Sequence, residues 1–467
     1  MIFHKWTRLF LLVPLLLSAI QLTPAQALTT NLVIWCPSAV TVPTSNRNGC
    51  SPLFPTMALL LSHLDTKDPA VAVTIWMGKD YNSATAADGN IIIDGAALTR
   101  MSRYPLTIKG GWNGPGKSTI NLNTPSILNG ATIAVMNWNK KVTLKNISVV
   151  LNAGSTAGDC GDSGTNPAVC VQTKGGIQLD RVSEENPTNL TVNSGAVLDS
   201  TDSLSSPPGS VVVTNSSFLK NNGFGLLIGT KGAVSLKSVT ANQNDVFGAG
   251  IYNDEFDTTA SPVTVTNGQF NQNSSNGLAI SSNGTITLTN IHAERNTGSG
   301  TEVDNRPGSG DVILKGTNGF LDNSGSGLLI YSNGSVTAQH LVAYQNTNNG
   351  VFIDNSTAPS AKGVTITGSG DFTDTSFGLI VLSKGNVTIN RANSHFNAFY
   401  GIYVWADGNV TLSCSGAYGN NIGLYVRSAN GLGSALKLTL KGFVNYGNIT
   451  AEDILATSIV RTACPTP

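Results

Sequence analysis

Four charged residues stand where they could do chemistry: Glu302, Asp304 and Arg306 in "TEVDNR", and Asp354 in "VFIDN". Two carboxyl groups facing one cleft can divide general-acid and nucleophile or base duties at a glycosidic bond, and inverting glycosidases hold them roughly 6.5 to 9.5 Å apart. The competing reading is local, because Asp ahead of Asn at a strand end closes a turn through its own side chain. Residues 253–257, "NDEFD", pose a similar choice: Asp254, Glu255 and Asp257 could hold calcium, or form a solvated loop. The cysteines show no CxxC or Cys/His spacing, and His63, His292, His340 and His395 lack a second ligand at metal distance in sequence. The stretch "GGWNGPGKS", residues 110–118, has the look of a phosphate loop, but no strand-to-helix context is expected around it. No cofactor is therefore expected.

The elements that must position these residues are legible as a repeat. Apolar phrases begin at Gly225, Gly248, Gly277, Gly300, Gly327, Gly350, Gly378, Gly401 and Gly423, with gaps of 23, 29, 23, 27, 23, 28, 23 and 22 residues. Four residues before this glycine stand Asn221, Asn244, Asn273, Asn296, Asn323, Asn346 and Asn397, while Asp374 and Gly419 depart from the pattern. One and three residues after it come apolar pairs such as Leu328 and Ile330, or Ile402 and Val404, so one strand face points inward. A second strand lies 14 and 12 residues before the glycine, for example Val263 with Val265 and Val387 with Ile389. Two or three short strands per turn in constant register predict a parallel solenoid with coils about 4.8 Å apart. Stacked asparagines then form an internal amide ladder. The glycine is expected to supply either positive φ or close backbone approach. Seven residues before it, Phe218, Ala241, Phe270, Ala293, Phe320 and Ala343 alternate large with small, which fills a narrow interior. The series then lapses into Asp371, Ser394 and Gly416, where Phe372 could restore it by a shift of one residue.

The ends are bounded by other signals. Lys5 and Arg8 precede the apolar run "LFLLVPLLLSAI" and the small-residue site ending at Ala27, which reads as a secretory signal peptide over residues 1–27. Residues 28–69 are expected to cap the solenoid through a helix in "SPLFPTMALLLSHLDTK", residues 70–455 to form the coils, and residues 456–467 to be a tail. Six cysteines in an exported chain favour the near-neighbour pairs Cys36 with Cys50, Cys160 with Cys170, and Cys414 with Cys464. Without Lys5 and Arg8 the chain carries 25 basic against 27 acidic residues, which does not point to a nucleic-acid partner. No later segment is apolar and long enough to span a membrane.

Residues two and four after the glycine should face outward. They include Glu302 and Asp304, Tyr331, Phe352 and Asp354, Tyr403 and Trp405, and Tyr425 and Arg427. The stripe is more aromatic than an exposed wall needs to be, and the longest insertions fall beside it. A groove of this kind suits an extended polysaccharide, whose apolar ring faces stack on aromatic side chains while carboxylates and amides bind hydroxyls. The alternatives are loops folded over the rings as a minor core, or a protein partner. Asp304 and Asp354 would lie two coils apart, roughly 10 Å between Cα atoms.

The helix followed by "VAVTIWMGKDYN" and "LTIKGGWNG", together with the repeated Asn-x-x-x-Gly-apolar coils, resembles the right-handed parallel β-helix, or pectin-lyase-like, family of exported bacterial proteins. The resemblance covers almost the whole chain after residue 27. It implies an all-β solenoid, a secreted or cell-surface location, and a scaffold shared by lyases, hydrolases, esterases and adhesins. Polygalacturonase-like enzymes carry adjacent aspartates, a His-Gly and an Arg-x-Lys, and pectate-lyase-like enzymes an Asp-His and an Arg-x-Pro-x-x-Arg; this chain has neither set. The expected function is binding of polysaccharide or another extended extracellular ligand by a monomer. The alternatives are a polysaccharide lyase or glycosidase using Glu302, Asp304, Asp354 and Arg306, and a structural or adhesive solenoid.

Overall fold

In the computed structural model, the described residues are 30–35, 56–67, 72–79, 90–114, 119–152, 160, 166–186, 194–202, 208–254, 260–428 and 436–464. The signal-peptide segment, the pair Cys36 and Cys50, and Glu255 and Asp257 lie outside them.

Parallel strands stack into three sheets of 17, 14 and seven strands, and the chain visits them in turn as it winds. In the early coils one nine-residue strand spans the first corner, as in Val142–Val150, Ile177–Glu185, Val211–Leu219 and Val234–Asn242. Each bends at a left-handed residue, Asn146, Arg181, Asn215 or Ser238. From Asn267 onward the equivalent residue, among them Asn290, Gly316, His340, Gly368, Arg391 and Cys414, separates two strands, and a short third sheet appears.

The anchor glycines are needed for close approach rather than for positive φ. None of them has left-handed backbone, whereas the residue just before the ladder position does, from Lys220 and Gln243 through Gln345 and Asp374 to Phe396 and Gly419. A Cβ on Gly225 would lie 2.5 Å from Asn244 Nδ2 and 2.6 Å from the Gly248 carbonyl oxygen, so only hydrogen fits under the next rung.

Inside, the ladder residues from Asn221 to Asn323 each donate twice to the rung above. The backbone N–H and Nδ2 of Asn273 reach Asn296 Oδ1 at 2.9 and 3.0 Å, and those of Asn323 reach Asn346 Oδ1 at 3.1 and 2.9 Å. Two coils explain why Asp374 and Gly419 depart from the asparagine pattern. Thr375 takes the rung there, donating to Asn397 Oδ1 from its backbone and its hydroxyl, and Asn420 takes the next, accepting from Asn397. Their corners are one residue shorter, so Thr375 and Asn420 stand three residues before Gly378 and Gly423. The same shortening seats Phe372 on Ala343 and Ser394 on Phe372, which turns Asp371 outward. Phe218, Phe270, Phe320 and Phe372 are fully buried at alternate rungs.

The solenoid extends past both boundaries expected for it. Strand Thr30–Trp35, within the segment assigned to the cap, pairs in parallel with Ala72–Gly78. The helix Met57–Lys67 follows, its first turn capped where Thr56 Oγ1 accepts the Leu59 N–H at 3.1 Å. Met57, Leu60 and Leu61 enter the core, and Asp65 Oδ1 accepts the backbone N–H groups of Arg100 and Met101. At the other end, Ser458–Thr462 adds a rung to Lys437–Lys441 instead of forming a tail. Disulfides join Cys160 to Cys170 and Cys414 to Cys464, with Cα atoms 5.8 and 5.3 Å apart. Glu452 and Arg461 stack on the inward positions Leu424 and Leu440 and form an ion pair across the last coil. Inward charge on a terminal rung discourages further strand addition. Among the described residues no helix is long and apolar enough to cross a membrane.

Candidate functional site

The outward positions of the 14-stranded sheet form two columns fixed by pairing register. Glu302, Leu329, Phe352, Ile380, Tyr403, Tyr425 and Asp453 make one; Asp304, Tyr331, Asp354, Leu382, Trp405 and Arg427 make the other. All of the residues singled out as catalytic or ligand-binding stand on or beside these columns, in two groups separated by the Ile380 and Leu382 rung.

The lower group is built around local bonds. Arg306 closes on Asp304 through Nε and Nη2 at 3.0 and 2.6 Å, and its guanidinium lies 4.6 Å from the centre of the Tyr331 ring. Tyr331 in turn leans on Phe352 at 5.6 Å. Burial works against the charge on Asp304, but the hydrogen bonds from Arg306 outweigh it and hold that carboxyl below the usual range. A group so held is ionised at neutral pH and suits the role of base or counter-ion better than that of proton donor. Asp354 accepts the N–H and hydroxyl of Ser356 at 2.9 and 2.7 Å, a turn closure of its own. Glu302 accepts Asn276 Nδ2 at 2.7 Å. Tyr331 occupies the rung between Asp304 and Asp354. Among the described residues no three His, Cys, Asp or Glu side chains gather as a metal cage.

The upper group is aromatic. Tyr403 and Tyr425 stack with ring centroids 4.5 Å apart and planes 9° from parallel, and Arg427 covers Tyr425 at 4.4 Å while donating to Asp453 at 2.5 Å. Burial, and then the adjoining Tyr425 and Tyr400, push the Tyr403 phenol up to about 12, so it remains a neutral donor and acceptor. Trp405 at the next outward position is 42% exposed. Tyr400 meets both Tyr403 and Tyr425 edge-on and stacks on Phe377 at 5.6 Å, and Phe377 stacks on Phe399. Phe377, Phe399 and Tyr400 were not among the expected contacts; they sit at the corner leading into the strand, a position where Phe224 and Phe247 also pair.

A further cluster lies across that corner on the seven-stranded sheet. His395, Tyr418 and Tyr446 stack in register, with centroids 4.6 and 5.1 Å apart, and Phe396 meets both His395 and Tyr418 edge-on. His395 Nε2 lies 2.6 Å from Thr373 Oγ1 and 3.4 Å from Asp371. His395 therefore has partners that its surroundings in the sequence do not reveal.

Residues 194–369 match the family model described as right handed beta helix region. Solved structures with likeness to this chain include the periplasmic alginate epimerase AlgG, 13% identical, with 84% of this chain and 76% of that chain covered and a TM-score of 0.35. They also include the A-modules of the Azotobacter vinelandii mannuronan C-5 epimerases AlgE4, 14% identical over 83% of this chain and 100% of that chain, and AlgE6, 12% identical over 87% and 93%, each with a TM-score of 0.41. No curated protein matches the chain. Three sheets of stacked parallel strands and the matched region give this chain the right-handed parallel β-helix fold.

Proposed function

We propose that the outward columns of the 14-stranded sheet bind an extended polysaccharide outside the cell, without turnover. The observation that carries this reading is the run of rings in which Phe399 and Trp405 are exposed and Tyr400, Tyr403 and Tyr425 half-buried, the last four held on a rigid sheet by register pairing. Flat rings on a rigid wall lose little conformational entropy when a sugar stacks on them. Burying such a surface as a minor core is disfavoured by the exposure of Trp405 and Phe399. The disulfide pairs support an oxidising location, secreted or at the cell surface. Hydrolysis or elimination by Glu302, Asp304, Asp354 and Arg306 is the weaker reading, because each carboxylate is engaged by a local partner and the Tyr331 ring fills the rung between the two aspartates.

A glycan array on the purified chain, beside the Tyr403→Ala, Trp405→Ala double variant, tests the proposal. Binding by the first and loss in the second is the expected result. Equal binding by both would move the site elsewhere, and product release from a bound glycan, abolished by Asp304→Asn, would replace binding with catalysis.

A further inference from the structure

The aromatic surface does not stop at the edge of the 14-stranded sheet. A single coil, residues 395–405, presents His395, Phe396, Phe399, Tyr400, Tyr403 and Trp405 in order around the corner between two sheets. Phe396, Phe399 and Tyr446 are 60%, 49% and 59% exposed. The rungs above and below thicken this belt with Tyr418, Tyr425 and Phe377.

Charge is distributed very unevenly around the same coils. Consider the six coils whose strands on the seven- and 14-stranded sheets run from Asn318–Leu321 and Leu328–Ser332 up to Val444–Tyr446 and Thr450–Ile454, with the corners that join them. Within these strands and corners the one Lys or Arg is Arg427, which is ion-paired with Asp453; from the coil below, Arg295 approaches Asp322 at 3.8 Å, and Arg306, already paired with Asp304, covers Tyr331. The outward carboxylates are Asp322, Asp354, Asp371, Asp374 and Asp453. Basic residues of these coils, such as Lys315, Lys362, Lys384, Arg391, Lys437 and Lys441, fall on the 17-stranded sheet or its flanking turns. Between the rings the corners offer exposed neutral groups, including Gln345, Thr347, Asn348 and Asn421.

We infer that the ligand of this belt is an uncharged polysaccharide, and that the His395, Tyr418 and Tyr446 stack is a second contact face for it, reached around the Phe396 to Phe399 corner. The inference rests on the glycan-binding reading above and adds a ligand class and a path. A polyuronate repeats a carboxylate on each sugar and needs cations or metal ions to meet it. Here it would meet aspartates, one arginine at the belt that Asp453 neutralises, and at the foot of the surface two more, Arg306 and Arg295, that also face carboxylates. An uncharged glycan asks only for ring faces and amide or hydroxyl partners, and those are what the belt presents.

Affinity electrophoresis of the full chain in gels holding β-glucan, galactomannan, alginate or polygalacturonate separates the outcomes. The expected result is retardation by an uncharged polymer, unchanged between about 50 and 500 mM salt, with none by the polyuronates. Tyr418→Ala and Tyr446→Ala are each expected to weaken that binding about tenfold, in line with loss of a sugar-stacking ring, with the melting temperature of each variant showing that it is folded. Salt-sensitive retardation by a polyuronate, abolished in the Tyr403→Ala, Trp405→Ala variant, would overturn the uncharged class while leaving the glycan-binding reading intact. Undiminished binding by folded Tyr418→Ala and Tyr446→Ala would overturn the second face. Failure of every polymer to retard the chain would remove the glycan reading and this inference with it.

Discussion

Asn221, the first rung of the asparagine ladder, donates through Nδ2 to Glu184 Oε2 at 2.8 Å inside the core. Glu184 is a fully buried carboxyl directly below Phe218 in the interior column. Burial pushes its pKa up to about 8, reinforced by Glu185 and opposed by hydrogen bonds from Asn221 and the Leu219 backbone. The folded chain thus keeps a proton that the unfolded chain releases near 4.5. Stability from this group is complete below that value, declines as pH rises towards 8, and is constant above it, a span on the order of a few kcal/mol. Thermal melts of the parent and Glu184→Gln across about pH 5 to 9 check this: the parent should lose stability with rising pH, and the glutamine variant should show a flatter profile and be the more stable at the alkaline end. Parallel profiles would mean that Glu184 is charged in the fold.

Replacing a mid-ladder asparagine strands several buried partners at once. Asn296 accepts two bonds from Asn273 and donates to Asn323 Oδ1 and the Phe270 carbonyl at 2.9 and 3.0 Å. Each orphaned buried group costs about 1–3 kcal/mol, so Asn296→Ala should lose at least about 3 kcal/mol in urea denaturation. Asn448, which donates to the Ala417 carbonyl at the partly exposed end, is the control. Asn448→Ala should cost less than half as much, because water can replace the missing partner.

How far the sequence carried can be judged at the shortened corners. Stacking identical rungs writes a strong period into the chain, so the anchor glycines, the Asn ladder through Asn346 and the inward apolar pairs were legible from spacing alone. Spacing counted back from Gly378 and Gly423 then lands on Asp374 and Gly419, which break the pattern, and misses the true rungs Thr375 and Asn420, since a corner can lose one residue without disturbing the strand that follows. The same slip hid the second aromatic stack: Tyr344 and His395 stand six residues before their glycines, whereas Thr373 and Tyr418 stand five before theirs, yet all four share one outward column. The charged group was legible as residues but not as partners. The turn that Asp354 closes onto Ser356 follows from Asp ahead of Asn at a strand end, whereas the fold of Arg306 back onto Asp304 depends on a side-chain direction that spacing does not encode.

The ion pair between Glu452 and Arg461 occupies two inward positions of the last coil, where the rungs below carry Leu424 and Leu440. Replacing both with leucine would extend the apolar column to an open strand edge. Light scattering on the Glu452→Leu, Arg461→Leu variant should show concentration-dependent oligomers, while the parent stays monomeric. A monomeric double variant would assign protection of that end to the disulfide of Cys414 and Cys464 instead.

Trp405 gives the ligand surface an optical handle. It is 42% exposed, whereas Trp35, Trp112 and Trp138 are buried and Trp76 is half-buried. Iodide should therefore quench a fraction of the fluorescence that disappears in Trp405→Phe. A bound sugar stacked on the indole would exclude the quencher, so titrating an uncharged polymer should reduce iodide quenching in the parent and leave Trp405→Phe unaffected. The measurement also orients the ligand. If Tyr446→Ala weakens binding while a saturating polymer still protects Trp405, both faces grip one chain around the corner; if protection persists at unchanged affinity, the ligand stays on the 14-stranded sheet.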